Sequence, residues 1–494
     1  MGSGDASVNY SILPTSNIWI KLFRNDLPSV MERAFPSQAS GRLKFMIAGD
    51  SISHGSEGDH TWRYRLWQWL CEAAPSMISE FVGPYAGTVP PDLPHPPQPP
   101  RFADEQEPPE RDITTGGYAL DVSRDFQGWH FAKSGRQVFQ AKDLIAEQVR
   151  IHQPDWLLVM LGFNDLGWCV SGPEGTLENM MTFISNARAA KPDLNFAIAN
   201  VPQRSPISGH PELPQWTARY NSMLKTAINE DHKSSGKSQI ELVDIEQHYG
   251  NVPDHCKGTC DGLHPNSLGE YQIAKAFSAT LNQSLNIGGA PLQIPNHIPA
   301  RPIHTPKNVR ACGMPFGIRF AFDPVYGARG YDVRQRCGGD WTEGYQGSNQ
   351  MDNSFTGAGV KWEFQVRTRG GEKDEDKSEW SDVVSALARQ DNAPAPRSTG
   401  VYATMTGFEA TWEPLDGGWD VERYAVLWQD KTVGGFLCGQ GARGNTTRVD
   451  GLDPGHRYEV WLQTWTSDGP GIPQSVCVLV VGSGVFSKPG SGKK

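Results

Sequence analysis

Trp156–Leu161 is apolar at every position, and that run constrains the fold more than any other feature of the chain. A strand with one wet face alternates apolar and polar side chains. An unbroken apolar run instead marks a parallel strand covered on both faces. Its surroundings fit that reading. Leu43–Ala48, Glu80–Val82, Asn195–Val201 and Ile240–Ile245 are also strand-like. Between them, Trp62–Cys71, Val138–His152, Thr176–Ala190, Gln215–Glu230 and Leu268–Leu281 carry helical spacing. In the second of these helices Val138, Leu144, Ile145 and Val149 are the apolar positions. Five strands alternating with helices predict an α/β domain with a three-layer α/β/α sheet. Open sheets of this kind place their sites just beyond the C-terminal ends of strands.

The chain has 494 residues, enough for two to four domains, and 38% hydrophobic with 20% charged residues suits a globular protein. No run of about 18 apolar residues occurs, so no transmembrane segment is expected. A net charge of -10 without a dense basic tract argues against a nucleic-acid partner. Met1-Gly2-Ser3-Gly4 lacks an apolar signal region and is expected to be an appended start on a mature secreted protein.

Proline breaks the pattern twice. Gly83–Asp112 holds four Pro-Pro pairs and cannot continue a strand or helix, so it either borders the site or is a mobile surface loop. Pro291–Pro306 reads as a spacer across which few contacts run. Two mutually similar segments follow. Gly317–Pro324 matches Gly407–Pro414, Gly330–Val333 matches Arg423–Val426, and Trp362–Val366 matches Tyr458–Leu462. Their short alternating strands predict two all-β sandwiches. Both resemble fibronectin type III domains. In the second, Leu452-Asp453-Pro454 before Tyr458 looks like a tyrosine corner, with Trp412 as core tryptophan. In the first, Phe322 and Trp362 stand at those two positions, so its corner must be tied differently.

Four short blocks carry the chemistry. Gly49-Asp50-Ser51-Ile52 follows the first strand, Ser134-Gly135 precedes a helix, Gly162-Phe163-Asn164-Asp165 ends the Trp156 strand, and Asp261-Gly262-Leu263-His264-Pro265 is expected to open the last helix. A serine hydroxyl is a poor nucleophile until a base takes its proton. His264 is the candidate base, and Asp261, three residues earlier, can reach its imidazole and fix the tautomer. Read alone, the Asp261–His264 pair would be an Asx-type cap beside a surface histidine. Together the four blocks resemble the SGNH (GDSL-type) hydrolases over about the first 290 residues. The resemblance implies a flavodoxin-like α/β/α domain and an oxyanion hole made by the N–H groups of Ser51 and Gly135 and the side-chain amide of Asn164. Gly162 is expected to serve backbone geometry and Asp165 to hold the loop. Trp168 is the best candidate for a substrate contact; Trp62 and Trp129 are better explained by packing. No metal and no cofactor is expected, because His-Glu-x-x-His and paired ligand spacings are missing.

Eight cysteines fall evenly: Cys71, Cys169, Cys256 and Cys260 in the first region, Cys312 with Cys337, and Cys438 with Cys477. Even counts predict disulfides, with Cys256–Cys260 the best pair. Asn9, Asn282 and Asn445 head glycosylation sequons. The expected organisation is a catalytic domain at 1–288, a linker at 289–305, sandwiches at 306–390 and 396–486, and a flexible tail at 487–494. The expected function is that of a secreted, monomeric serine esterase acting on a carbohydrate ester, an acylated polysaccharide in particular. A small-ester or lipid acyl hydrolase is the alternative within the class. A non-catalytic adhesion protein is the alternative outside it.

Overall fold

A computed structural model describes residues 43–487 except 76–78, 109–112, 235–237, 251, 254, 355 and 485. The Met1–Gly4 start, the Asn9 sequon and residues 488–494 lie outside the described residues.

The first domain is a parallel sheet between helical layers. Strands β1 (Leu43–Gly49), β2 (Ser79–Val82), β3 (Phe131–Ala132), β4 (Trp156–Met160), β5 (Asn195–Ala199) and β6 (Ile240–Val243) run in the order β2-β1-β4-β5-β6. The two-residue β3 pairs with the C-terminal end of β1, a strand too short to read from sequence. β4 lies centrally and is buried along its whole length, as its unbroken apolar sequence requires. Helix α1 (Ser51–His54) follows β1 directly, and α2 (Thr61–Ala73) packs on α8 (Ser267–Leu285). Helix α3 (Val138–His152) packs on α5 (Pro173–Ala190), and α5 in turn on α6 (Leu213–Ser234). The short α4 (Phe163–Gly167) and α7 (Ile245–Tyr249) cap the strand ends. The buried stripe of α3 is Val138, Ala141, Ile145 and Val149, whereas Leu144 is exposed. A 3.6-residue period puts Ala141 on the inner face and turns Leu144 off it. The last helix begins at Ser267, where Asn266 caps it by accepting from Leu268 N and Gly269 N, so Asp261–Pro265 forms a turn ahead of the helix instead of opening it.

Two antiparallel sandwiches follow. The first pairs sheets β10-β9-β12-β13 and β11-β8-β7, and the second pairs β18-β15-β14-β22 with a five-stranded sheet around β16 and β19. Here β7 is Arg310–Met314, β8 Gly317–Ala321, β9 Tyr331–Arg336, β10 Thr342–Gln346, β11 Gln350–Ser354, β12 Lys361–Thr368 and β13 Val384–Leu387. In the second, β14 is Arg397–Ala403, β15 Gly407–Glu413, β16 Val421–Asp430, β17 Cys438–Ala442, β18 Thr446–Asp450, β19 Arg457–Thr466, β20 Gly469–Pro470, β21 Gln474–Val480 and β22 Phe486–Ser487. The sequence repeat reappears as a repeated hydrogen bond. Tyr331 Oη accepts from Val325 N at 3.0 Å, and Tyr424 Oη accepts from Leu415 N at 2.8 Å, one residue beyond the matching Pro324 and Pro414. Tyr458 Oη accepts from Asp453 N at 3.2 Å, the geometry of a tyrosine corner. Where Trp362 replaces that tyrosine, the corner is tied by backbone instead: Gly359 N donates to Ala388 O and Ala388 N to Val360 O.

The predicted spacer is not a spacer. Arg301, within the Pro291–Pro306 segment, reaches the Asp59 carboxylate and Glu57 O of the first domain, while its Nε donates to Gly327 O of the first sandwich at 2.7 Å. Arg329 Nη2 donates to Asp59 Oδ1 at 2.7 Å and to Pro265 O at 3.3 Å. Extended proline-rich backbone leaves side chains free to bond outward, and a mid-segment arginine uses that freedom. The Gly83–Asp112 insertion bonds to both neighbours. Glu57 N donates to Val89 O and Val89 N to Gly55 O, and buried Arg63 donates to Ser53 O, His54 O, Gly87 O and Gly128 O. Further along, Phe102 lies between the guanidinium groups of Arg423 and Arg443 of the second sandwich, 4.0 Å from each.

The disulfide expectation is corrected: among the described residues no disulfide is formed. Cys438 pairs across the sheet with Trp428, Trp428 with Val460, and Val460 with Cys477. Two strands therefore separate the two cysteines, roughly 14 Å at ~4.8 Å per strand, beyond the ~7 Å reach of a disulfide. Cys312 lies within β7 and Cys337 just after β9, strands of opposite sheets, and Cys256 Sγ donates to Val252 O at 3.3 Å. Among the described residues, no helix is long and apolar enough to cross a membrane.

Candidate active site

Ser51 is the first residue of α1, at the C-terminal end of β1. Asp50 caps that helix by accepting from Ile52 N at 2.9 Å. The first N–H groups of a helix have no intrahelical partner, so the Ser51 N–H is a donor available to a ligand. Asp50 is 1% exposed, and burial pushes its carboxyl up to about 7 against the opposing pull of the Ile52 N–H and the His264 charge.

Across the sequence, 213 residues away, His264 Nε2 lies 2.8 Å from Ser51 Oγ. His264 Nδ1 lies 2.6 Å from Asp261 Oδ2. The other oxygen, Asp261 Oδ1, accepts from His264 N at 2.8 Å and Leu263 N at 3.0 Å. Burial works to raise the Asp261 carboxyl, but its hydrogen bond to the His264 ring, that ring's charge and the two N–H groups together hold it well below the usual carboxylate range. The carboxylate thus stays ionised beside the imidazole. The same Asx-type turn that an isolated reading would assign to Asp261 and His264 is present, and it aims the ring.

The remaining predicted residues sit around this chain in different ways. Gly135 has φ +77°, and the Trp168 ring tip would lie 3.1 Å from a side-chain carbon placed there. An L side chain is disfavoured at that φ, and the tryptophan leaves it no room. Trp168 is 57% exposed and covers Gly135 from outside. Ser134 N donates to His54 Nδ1 at 3.2 Å, which seats the turn against α1. Asn164 is buried, and its Nδ2 donates one hydrogen to Arg136 O at 3.0 Å, leaving the amide's second hydrogen for another acceptor. Gly162 has φ +116° and starts α4. Asp165 accepts from Val138 N at 2.8 Å and Phe139 N at 3.0 Å, so it anchors the N-terminus of α3 beside Gly135. Trp62 is fully buried and stacks on Phe277 at 4.6 Å, and Trp129 lines a separate depression with Glu80 and His152.

Several contributing residues had no signal in the sequence. Ser51, Ser134, Asp261 and His264 open into a cavity of about 490 Å³ whose far wall is the first sandwich, at Arg329, Tyr345, Arg369 and Glu372. Asp59, 4% exposed, takes both Arg301 and Arg329; burial would raise its carboxyl, but the two cations hold it below its ordinary value. Thr61 has φ +70°, a costly conformation for a β-branched residue, and Glu270 Oε1 holds it by accepting from Thr61 N at 2.8 Å. Such roles need a partner distant in sequence, so no local pattern announces them.

Residues 45–277 match the family model described as GDSL-like lipase/acylhydrolase, and residues 394–478 match that of the fibronectin type III domain. The α/β domain belongs to the GDSL-like lipase/acylhydrolase family, and fibronectin type III architecture follows it in the same chain. No curated protein matches the chain. Among solved structures, a carbohydrate esterase family 3 protein from Talaromyces cellulolyticus is 21% identical, with 49% of this chain and 98% of that one covered and a TM-score of 0.34. A family 3 carbohydrate esterase from Clostridium thermocellum is 17% identical over 50% and 98% of the two chains, at a TM-score of 0.34. A two-domain fibronectin type III segment from chicken tenascin is 18% identical over 36% and 99%, at a TM-score of 0.17.

Proposed function

We propose that this chain is a secreted serine esterase that hydrolyses carboxylic esters of carbohydrates, acetyl esters first among them, through an acyl-Ser51 intermediate. One observation carries the reading: the continuous Ser51–His264–Asp261 hydrogen-bond chain, at 2.8 and 2.6 Å. His264 Nε2 takes the Ser51 Oγ proton as the oxygen attacks the ester carbonyl carbon. Asp261 holds the ring in that tautomer and stabilises the imidazolium. The N–H groups of Ser51 and Gly135 and the second amide hydrogen of Asn164 face the developing oxyanion. The imidazolium then returns its proton to the leaving alcohol oxygen. Water, deprotonated by His264, attacks the acyl carbon, and the acid departs as Ser51 Oγ recovers its proton. The secreted setting rests on the fibronectin type III architecture, which suits extracellular work.

Ser51→Ala is the test. It should retain the fold and lose on the order of 10⁶ in kcat on p-nitrophenyl acetate, as nucleophile removal does in serine hydrolases. Wild-type turnover in a folded Ser51→Ala variant would overturn the mechanism. A wild-type protein inert on every acyl ester of a chain-length series would favour a binding protein instead. Asn164→Ala should lower kcat by about 100- to 1000-fold, with a smaller change in KM.

A further inference from the structure

We propose that the first sandwich is the substrate-recognising wall of the cleft and that it receives a polyhydroxyl alcohol, the sugar half of the ester. The proposal rests on the esterase reading of Ser51, His264 and Asp261.

The wall is held rigidly. Arg329 is 15% exposed in its side chain, and its guanidinium joins Asp59, at 4%, to the Pro265 carbonyl, one residue beyond His264. Arg301 reaches the same carboxylate from the linker. Glu372 N donates to Cys260 O at 2.9 Å, so the sandwich also bonds the strand of chain just before Asp261. A buried ion pair with two cations on one carboxylate is expensive to open. The cleft therefore has a fixed far side rather than a passing neighbour.

The chemistry of that side points to the ligand. Tyr345 is 60% exposed, and its ring lies 5.2 Å from the Arg369 guanidinium. Glu372, Glu57 and Asp92 line the same cavity. An exposed aromatic face packs against the C–H face of a sugar ring. Carboxylates and a guanidinium at its rim exchange hydrogen bonds with ring hydroxyls. Val89, Pro90 and Pro91 give the cavity one short apolar stretch, too short to sheathe a long acyl chain. Its volume of about 490 Å³ falls within the roughly 300–1,000 Å³ of small-molecule sites. The catalytic groups occupy one wall, and the alcohol-binding groups come from a domain outside the hydrolase fold.

The full-length protein and its Tyr345→Ala and Glu372→Ala variants are assayed on p-nitrophenyl acetate and on acetylated xylo-oligosaccharides. The expected result is a KM on the oligosaccharide ester at least tenfold higher, and a loss of kcat/KM there at least tenfold greater than on p-nitrophenyl acetate. Equal losses on the two substrates, or none on the oligosaccharide, overturn the proposal. Glu372 is an exposed side chain, so it remains informative if Tyr345→Ala does not fold. A wild-type enzyme that cleaves p-nitrophenyl acetate through Ser51 but no acetylated oligosaccharide overturns the sugar wall and leaves the esterase reading standing. Absence of Ser51-dependent turnover on either substrate overturns the esterase reading itself.

Discussion

The two sandwiches share a fold, an aligned sequence and a matching tyrosine hydrogen bond, yet they join the rest of the molecule by opposite physics. The first is attached through buried charge: Asp59 is 4% exposed, and Arg301 and Arg329 converge on it. The second touches the proline-rich insertion through a backbone bond, Gly441 N to Arg101 O at 2.6 Å, and through carboxylates that stay solvent-exposed. Arg443 pairs with Asp104 at 2.7 Å and Arg423 with Glu105 at 3.0 Å, with Phe102 between the two guanidinium groups. It also bonds the short segment that joins the sandwiches through backbone acceptors, Thr464 Oγ1 to Pro394 O at 2.7 Å and Asn392 Nδ2 to Pro470 O at 2.9 Å. Solvent-exposed pairs are screened and contribute little, whereas removing one partner of a buried pair leaves a charge stranded. Identical architecture thus says nothing about whether an accessory domain is part of the site. The burial of a few charges at its border does.

The sharpest way to break this contrast is Arg329→Ala. It should destabilise the protein by about 3–5 kcal/mol in urea unfolding, because Asp59 is left buried with one cation fewer. A change below about 1 kcal/mol would show that the first joint is no stronger than the second. The pH dependence has a definite sign. The Asp59 carboxyl lies below its ordinary value in the folded protein, so its contribution is present above about pH 4 and is lost as the pH falls through the folded value. The gap between wild type and Arg329→Ala should therefore narrow on acidification below about pH 4, and a gap that widened would contradict the pairing.

Truncation comes next. Ending the chain near residue 290 should lower kcat/KM on p-nitrophenyl acetate more than tenfold, about 1.4 kcal/mol of transition-state stabilisation, once folding is verified by circular dichroism. Ending it near residue 391 should change the rate less than threefold. Full activity in the shorter protein would restore the spacer reading of the proline-rich segment.

Smaller effects test the shared architecture. Tyr331→Phe and Tyr424→Phe should each cost about 1 kcal/mol, since each removes one hydrogen bond to a backbone N–H. Unequal costs would mean that the two sandwiches use the device differently. Arg443→Ala should be the mildest, with no resolvable shift in Tm at physiological salt. A large one would place the second sandwich on the same footing as the first.

Much of the α/β domain was legible because local pattern governs it. Apolar runs marked the central strands, helical spacing marked the layers, and Gly-Asp-Ser, Gly-x-Asn-Asp and Asp-x-x-His each fell at a strand end or in a turn. The sandwich repeat was legible for the same reason, down to aligned Tyr331 and Tyr424. Other expectations failed where distance decided the outcome. An even cysteine count could not reveal that two strands stand between Cys438 and Cys477. Helical spacing alone did not rank Ala141 above Leu144, yet Ala141 is buried and Leu144 exposed, because packing chose which neighbouring positions face inward.

What the sequence determined by itself was the order of the elements and the identity of the reactive side chains, since both follow from periodicity and residue chemistry within a few positions. Only the tertiary structure decided that Ser51 and His264 meet at 2.8 Å, that Asp59 takes two arginines from beyond the α/β domain, and that Tyr345 looks into the cleft. The physical reason is the same in each case. A charge or a hydroxyl acquires its energy from whatever folding brings within about 4 Å of it, and separation along the chain carries no record of that distance.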